Sequence, residues 1–301
     1  TNLKISKICK NKNLTRKFLY GKFPQPRSFL LSSYNEYLKK ISRFNNGYTL
    51  KQLNLSGSKG FHEFNANQKL PQKKFLKLLY FNKKNQKILM EEKLLSQKNK
   101  ISEMSAETIW QDGKIIYFNC VDRIFPRDDI GLKKLPKFLY SNYKPGYEIG
   151  HINPSLKPKK EILKVKKIML KLGGFLGYKK LKKCHVLKAD IFFSKSGPII
   201  LEMTPRLSGG YDSTGSGIAR GLKLSEAIIR ICLGERFNKK EIKTYFKSNN
   251  KKVLVISRYT KNKRLFYSTT GIKINNLFKN IKRNIKKNIL IKNNKIFNQK
   301  L

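Results

Sequence analysis

Apolar positions along this chain recur with two periods, one helical and one of alternating strands, punctuated by turn residues. The clearest helical spacing is EILKVKKIMLKLGGFLG, within an amphipathic helix predicted over 158–177. Helices are also predicted for the basic stretch KNKNLTRKFLY, around SSYNEYLKKI with Ser32 or Ser33 as N-cap, near 71–80, and for LKLSEAIIRICLG. Pro24 and Pro26 exclude helix from the turn FPQPRS between the first two. Residues 48–66 read as strand, turn and strand in YTLKQLNL, SGSKG and FHEF. KILMEEKLL is a short apolar strand running into a charged connector. Two further hairpins pair SAETIW with IIYFNCV about Asp112-Gly113, and VLKADIFFS with PIILEMT about Ser196-Gly197. Residues 122–157 are loop-rich, and RLSGGYDSTGSG is a glycine-rich loop. Beyond 235 the chain is polar and rich in Lys and Asn; KVLVISRYT is its one good strand, and the last twenty residues read as a frayed helix or a disordered tail. There is no internal repeat. Hairpins interleaved with helices predict an α+β architecture on antiparallel sheet, not a doubly wound parallel one.

Composition narrows the class. The 301 residues suffice for one large domain or two smaller ones, and 39% hydrophobic content with 19 Phe can build a core. The formal net charge of +49 suggests a nucleic acid or an anionic surface as partner. The excess is nearly all Lys, joined by many Asn and Ile and scattered along the whole chain, which reads as compositional background. In either case the field favours anionic ligands such as nucleotides. Cys9, Cys120, Cys184 and Cys232 form no CxxC pair, which argues against a zinc cluster or disulfide scaffold and fits a reducing cytoplasm. No apolar run is long enough to span a membrane and no signal peptide is visible, so no membrane association is expected. The chain begins at Thr1, which reads as a fragment or a processed product.

Chemistry concentrates in ADIFFSKSGPIILEMTPRLSGG. A short turn brings Asp190 and Glu202 alongside each other, and alternation puts Glu202, Thr204 and Arg206 on one face. Two carboxylates on a rigid hairpin suit magnesium, a hard ion that prefers oxygen ligands. Arg206 offers a planar fork to a phosphate or acyl-phosphate oxygen. The same residues also suit a surface salt bridge between Arg206 and Glu202. The SGSKG turn is a second candidate: Gly57 and Gly60 let backbone N–H groups face a phosphate, with Ser58 and Lys59 as further donors, although such a turn serves equally as a plain hairpin connection.

In their order along the chain these segments resemble the ATP-grasp superfamily, in particular its carbamoyl-phosphate-synthase-like and biotin-carboxylase-like members, from about residue 8 to residue 235. NKNLTRKFLYGKFPQP is similar to the family's opening segment and makes Lys12 the match of its first phosphate-binding lysine. YTLKQLNLSGSKGF resembles the lysine strand and flexible glycine loop, with Lys51 as the second phosphate lysine. ILMEEKL, carrying Glu91, Glu92 and Leu94, is similar to the strand and linker that hold adenine, largely through backbone groups. Glu103 in KISEMSAET is the match for a glutamate at the nucleotide pocket. YEIGHINPS, centred on Glu148, Gly150, His151 and Pro154, resembles a substrate-side segment. Asp190 and Glu202 match the two metal carboxylates and Arg206 the arginine after the second. Thr204 stands where the family has Asn, which leaves that metal ligand weaker or replaced by water, and Gln52 stands where Pro is common.

The resemblance implies an ATP-grasp fold of two α+β subdomains, 8–90 with the glycine loop and 91–235 with the metal site, flanked by a remnant at 1–7 and a basic extension at 236–301. It implies ATP and Mg2+, with Mn2+ as a substitute, small carboxylate and amine substrates, and a homodimer as one assembly. The implied activity is a carboxylate–amine ligase acting through an acyl phosphate, with Arg206 and Lys51 as catalytic residues. The family's preceding Rossmann-like domain has no counterpart in this chain. Two other readings stand beside it: a catalytically incomplete module that binds nucleotide or a partner, and a basic RNA-associated protein.

Overall fold

The computed structural model of the protein describes residues 3–55, 60–80, 87–96, 100–125, 146, 148, 150–209, 215–249 and 251–256. Among them the Asp112-Gly113 turn sets the geometry of the larger sheet. Both residues are left-handed, at φ 50° and 76°, as a two-residue turn between antiparallel strands requires. A side chain at Gly113 would meet the Lys179 carbonyl at 2.4 Å, so only glycine fits. The turn joins β5 (Glu103–Gln111) to β6 (Lys114–Ile124). Together with β7 (Gly150–Asn153), β8 (His185–Ser194), β9 (Gly197–Thr204) and β10 (Val253–Ile256) they form a six-stranded antiparallel sheet in the order β10-β7-β6-β5-β8-β9.

Alternation gives this sheet two different faces. Met104, Ala106, Cys120, Leu187, Ala189, Ile191 and Met203 pack with Ile5 and Cys9 of α1 (Leu3–Lys10) and with Val165, Met169 and Leu172 of α5 (Lys159–Phe175). The residues between them are Glu103, Ser105, Glu107, Asn119, Lys188 and Asp190, all buried and all polar. Burying so many polar groups on one face is costly unless each finds partners, and such a face marks a site rather than a core.

A smaller sheet, β1 (Ser28–Leu31), β4 (Ile88–Glu92), β2 (Tyr48–Gln52) and β3 (Phe61–Phe64), runs in the order β1-β4-β2-β3, again antiparallel throughout. Helices α3 (Tyr34–Ile41) and α4 (Gln72–Leu79) close one face, burying Tyr37, Tyr48, Leu50, Phe75 and Met90. Ser33 caps α3 by accepting from the Glu36 N–H. The opposite face carries Thr49, Lys51, Leu89 and Glu91 toward the larger sheet.

Two elements differ from the sequence reading. The basic stretch KNKNLTRKFLY forms α2 (Lys12–Leu19), with Asn11 extended and its side chain accepting the Leu14 N–H as the cap, and a separate helix not expected from sequence, α1, precedes it. In the segment read as a basic extension, α8 (Lys239–Phe246) packs with α7 (Leu224–Cys232) in an aromatic cluster, and β10 is the edge strand of the larger sheet against β7. The chain is therefore built into the fold as far as Ile256; the tail beyond it lies outside the described residues. Among the described residues no helix is long and apolar enough to cross a membrane.

Candidate active site

The two sheets face each other across a cleft of about 330 Å³. Lys12, Lys51, Glu103, Asp190, Glu202, Thr204 and Arg206 line it, together with Arg16, Arg123, Glu148 and Lys188. Lys12 opens α2 and donates from Nζ to the Leu55 carbonyl. Burial pushes its pKa down, Glu202 pulls the other way, and Lys51 adds to the lowering. Lys51 reaches Glu91 Oε2 at 2.5 Å. Glu91 is only 1% exposed and also accepts from Arg16 Nε. Burial alone would raise its carboxyl, but Arg16 and Lys51 hold it down at about 2. Arg16 in turn donates from Nη1 to the Ile200 carbonyl at 3.2 Å and from Nη2 to the Leu201 carbonyl at 2.5 Å. One guanidinium thus spans from the lysine sheet to the carboxylate strand β9.

Register puts Asp190 opposite Glu202 and Lys188 opposite Thr204, four side chains on the cleft face of one hairpin. Asp190 is heavily engaged. Lys188 Nζ lies 2.9 Å from its Oδ1 and 3.0 Å from its Oδ2. Arg123 Nη1 lies 3.1 Å from Oδ2, and Ser105 Oγ donates to Oδ1 at 2.9 Å. Burial raises the Asp190 carboxyl, and the two cations outweigh it to leave it at about 2. The Glu202 side chain makes no ion pair or hydrogen bond with another described residue. The salt bridge between Arg206 and Glu202 is not formed; Arg206 is exposed and donates to the Leu207 carbonyl at 2.9 Å. Thr204 Oγ1 lies 3.4 Å from the Arg206 carbonyl. Among the described residues no three or more His, Cys, Asp or Glu gather as a metal-binding group. Glu202 fits a hard divalent ion, since its carboxylate is not engaged and Thr204 follows on the same strand face.

Other residues named from the sequence are placed differently. Gly57, Ser58 and Lys59 lie outside the described residues. Gly60 has φ 66°, accepts the Gln52 N–H at 3.3 Å, and has Gln52 Cγ 2.5 Å from where a Cβ would stand. Glu92 accepts the Arg27 N–H at 2.8 Å, and neither it nor Leu94 lines the cleft. The Glu91 side chain is held by Arg16 and Lys51, and no residue of β4 is among those that line the cleft. Glu103 faces Arg123 Nη1 at 3.4 Å. In the substrate-side segment Glu148 meets Arg123 Nε at 2.8 Å, and His151, 3% exposed, shares a 3.1 Å contact with Ser216 Oγ beneath the cleft lining.

Sequence reasoning passed over Arg16, Arg123 and Lys188. Lys188 was readable, because K-A-D on a strand puts a cation two residues from Asp190 on the same face. Arg16 and Arg123 take their partners from distant strands and carry no local signal.

No protein-family model matches the chain, and no curated protein matches it by sequence. Solved structures match its fold. Biotin carboxylase from Campylobacter jejuni, in complex with β,γ-ATP, superposes with a TM-score of 0.60 at 14% identity, over 82% of this chain and 50% of its own. The biotin carboxylase domain of 2-oxoglutarate carboxylase from Hydrogenobacter thermophilus, with MgADP, ADP and bicarbonate, gives 0.59 at 13% identity over 82% and 50%. N5-carboxyaminoimidazole synthase from Aspergillus clavatus, with ADP and 5-aminoimidazole ribonucleotide, gives 0.57 at 12% identity over 84% and 57%. The chain spans about half the length of each of these proteins. All three are ATP-grasp enzymes, and this chain, with two antiparallel α+β sheets facing each other across a polar cleft, has the ATP-grasp fold.

Proposed function

We propose that the protein binds ATP with magnesium in the cleft between its sheets and uses it to activate a carboxylate as an acyl phosphate, which an amine or similar nucleophile captures. The observation that carries this reading is the gathering of Lys12, Lys51, Arg206 and the otherwise unengaged Glu202 in one cleft from separate elements of the fold. Three of the side chains are cationic donors suited to phosphate oxygens, and the fourth is suited to a hard metal.

In the first step a substrate carboxylate oxygen attacks the γ-phosphorus of ATP, the bond to the β–γ bridging oxygen breaks, and ADP leaves. In the second, the amine nitrogen attacks the acyl carbon, phosphate departs, and the nitrogen loses a proton to solvent. Neither step needs a protein nucleophile; both need charge neutralisation and alignment. Lys12 and Lys51 hold the α- and β-phosphates in this scheme, Lys51 sharing its charge between the nucleotide and Glu91. Arg206, exposed at the rim, turns in to steady the transferring group. Glu202, with Thr204 beside it, would hold magnesium, which would supply positive charge to the phosphates.

The test is a panel of carboxylate and amine pairs offered with ATP and Mg2+, read as ADP and phosphate release. Release that needs both substrates supports the ligase. Nucleotide binding with no release from any pair favours an ATP-grasp module without turnover, a reading to which Thr204 and the Lys188–Asp190 pair lend weight.

A further inference from the structure

The cleft holds a cation of its own at the place where a metal would be sought. Lys188 and Asp190 are two residues apart on β8 and share its cleft face. The ammonium contacts both oxygens of the carboxylate, at 2.9 and 3.0 Å, and Ser105 and Arg123 take one further site on each oxygen. A carboxylate offers about four lone-pair sites, so Asp190 has none left for a divalent ion unless Lys188 moves away. Glu202, directly across the hairpin, is not engaged in this way. A pair of carboxylates that would otherwise share one ion is thus split: one is neutralised from within the chain, and the other remains open.

We propose that Lys188 is the resident cation of the Asp190 position, so that nucleotide is held with a divalent ion on Glu202 alone, and Lys188 supplies from the protein part of the positive charge that a metal bridged between two carboxylates would supply. This rests on the nucleotide-binding reading above. It makes Lys188 the residue that sets how strongly nucleotide binding depends on metal. An ammonium is a compact point charge on a flexible stem and can turn from Asp190 toward a phosphate oxygen without leaving the site.

The experiment measures Mn2+ affinity by electron paramagnetic resonance in the presence of saturating ADP, and ADP affinity with and without chelator, on the full chain. The variants are Lys188→Met and the double variant Lys188→Met with Asp190→Asn, whose neutral pair avoids stranding a buried charge. Freed of its ammonium, Asp190 becomes a ligand in Lys188→Met, and Mn2+ should bind tighter by about tenfold or more, the scale of one ligand or its supporting partner. The double variant should lose that gain, and metal-free ADP affinity should fall in both. Mn2+ affinity in Lys188→Met that is unchanged or weaker, while ADP still binds, overturns the proposal and leaves the nucleotide site standing. Failure of the unaltered protein to bind ADP under any condition overturns both.

Discussion

Glu91 and Asp190 are built alike: each is a buried carboxylate between two cations, and each anchors a cleft residue, Lys51 in one case and Lys188 in the other. Removing the charge of Glu91 leaves the buried Arg16 and the half-buried Lys51 beside each other without that anion. Glu91→Gln should therefore cost on the order of 3–5 kcal/mol of stability, read from urea unfolding at neutral pH. The pH dependence follows from the two carboxyls. Their ordinary values are 4.5 and 3.8, and the fold holds both at about 2, so the unfolded chain binds protons that the folded one does not. Stability from these groups is full above the ordinary values and is lost as pH falls from there toward 2. The urea midpoint of the unaltered protein should drop through that window, and that of Glu91→Gln should drop less. Equal slopes in the two proteins would count against the buried triad. At this scale the alternation of the hairpin and the order of the motifs made Lys12, Lys51, Asp190, Glu202 and Arg206 legible as companions in one cleft. What they touch was not legible, because Arg16 finds Glu91 75 residues away through the pairing of two sheets.

Hairpins were the most legible elements. Asp112-Gly113 fixes the β5–β6 turn by local chemistry, and the period-two pattern of β8 and β9 fixes which side chains face the cleft. The short helix α1 before Asn11 was not read, because eight residues with only Ile5 and Cys9 buried carry a weak periodic signal. The strand at 253–256 was visible, but its place at the edge beside β7 was not, since strand partners are set by tertiary packing. The glycine loop carries the prediction at this scale. Its backbone N–H groups are read as phosphate donors, so amide hydrogen exchange across residues 55–61 should slow when ADP and Mg2+ are added. Exchange there that ignores saturating nucleotide would remove the loop from the account.

The molecule as a whole sets one polar sheet face against the face of a second sheet, and the cleft between them concentrates its paired charges. The net charge of +49 is spread over the whole chain. Polyanions such as RNA should bind weakly and without sequence preference, and that binding should fall steeply with salt through counterion release. Nucleotide held in a cleft by shaped contacts should lose affinity less steeply over the same salt series. Sequence-selective RNA binding that survives physiological salt would instead favour an RNA-associated protein. The α+β class and the ATP-grasp fold were legible from the ordered motifs, and the solved structures agree at the level of fold. Substrate identity was not, because cleft-lining groups such as Arg123 and Glu148 are paired in a way that reveals charge but not shape. The most direct test of the central claim is a titration of a fluorescent ATP analogue with Mg2+ into the unaltered protein and into Lys12→Ala. Saturable binding at one site per chain is expected, weakened about tenfold or more by the substitution, in keeping with the loss of a charge-assisted phosphate contact. Absence of saturable binding to the unaltered protein, or affinity that Lys12→Ala leaves unchanged, would contradict it.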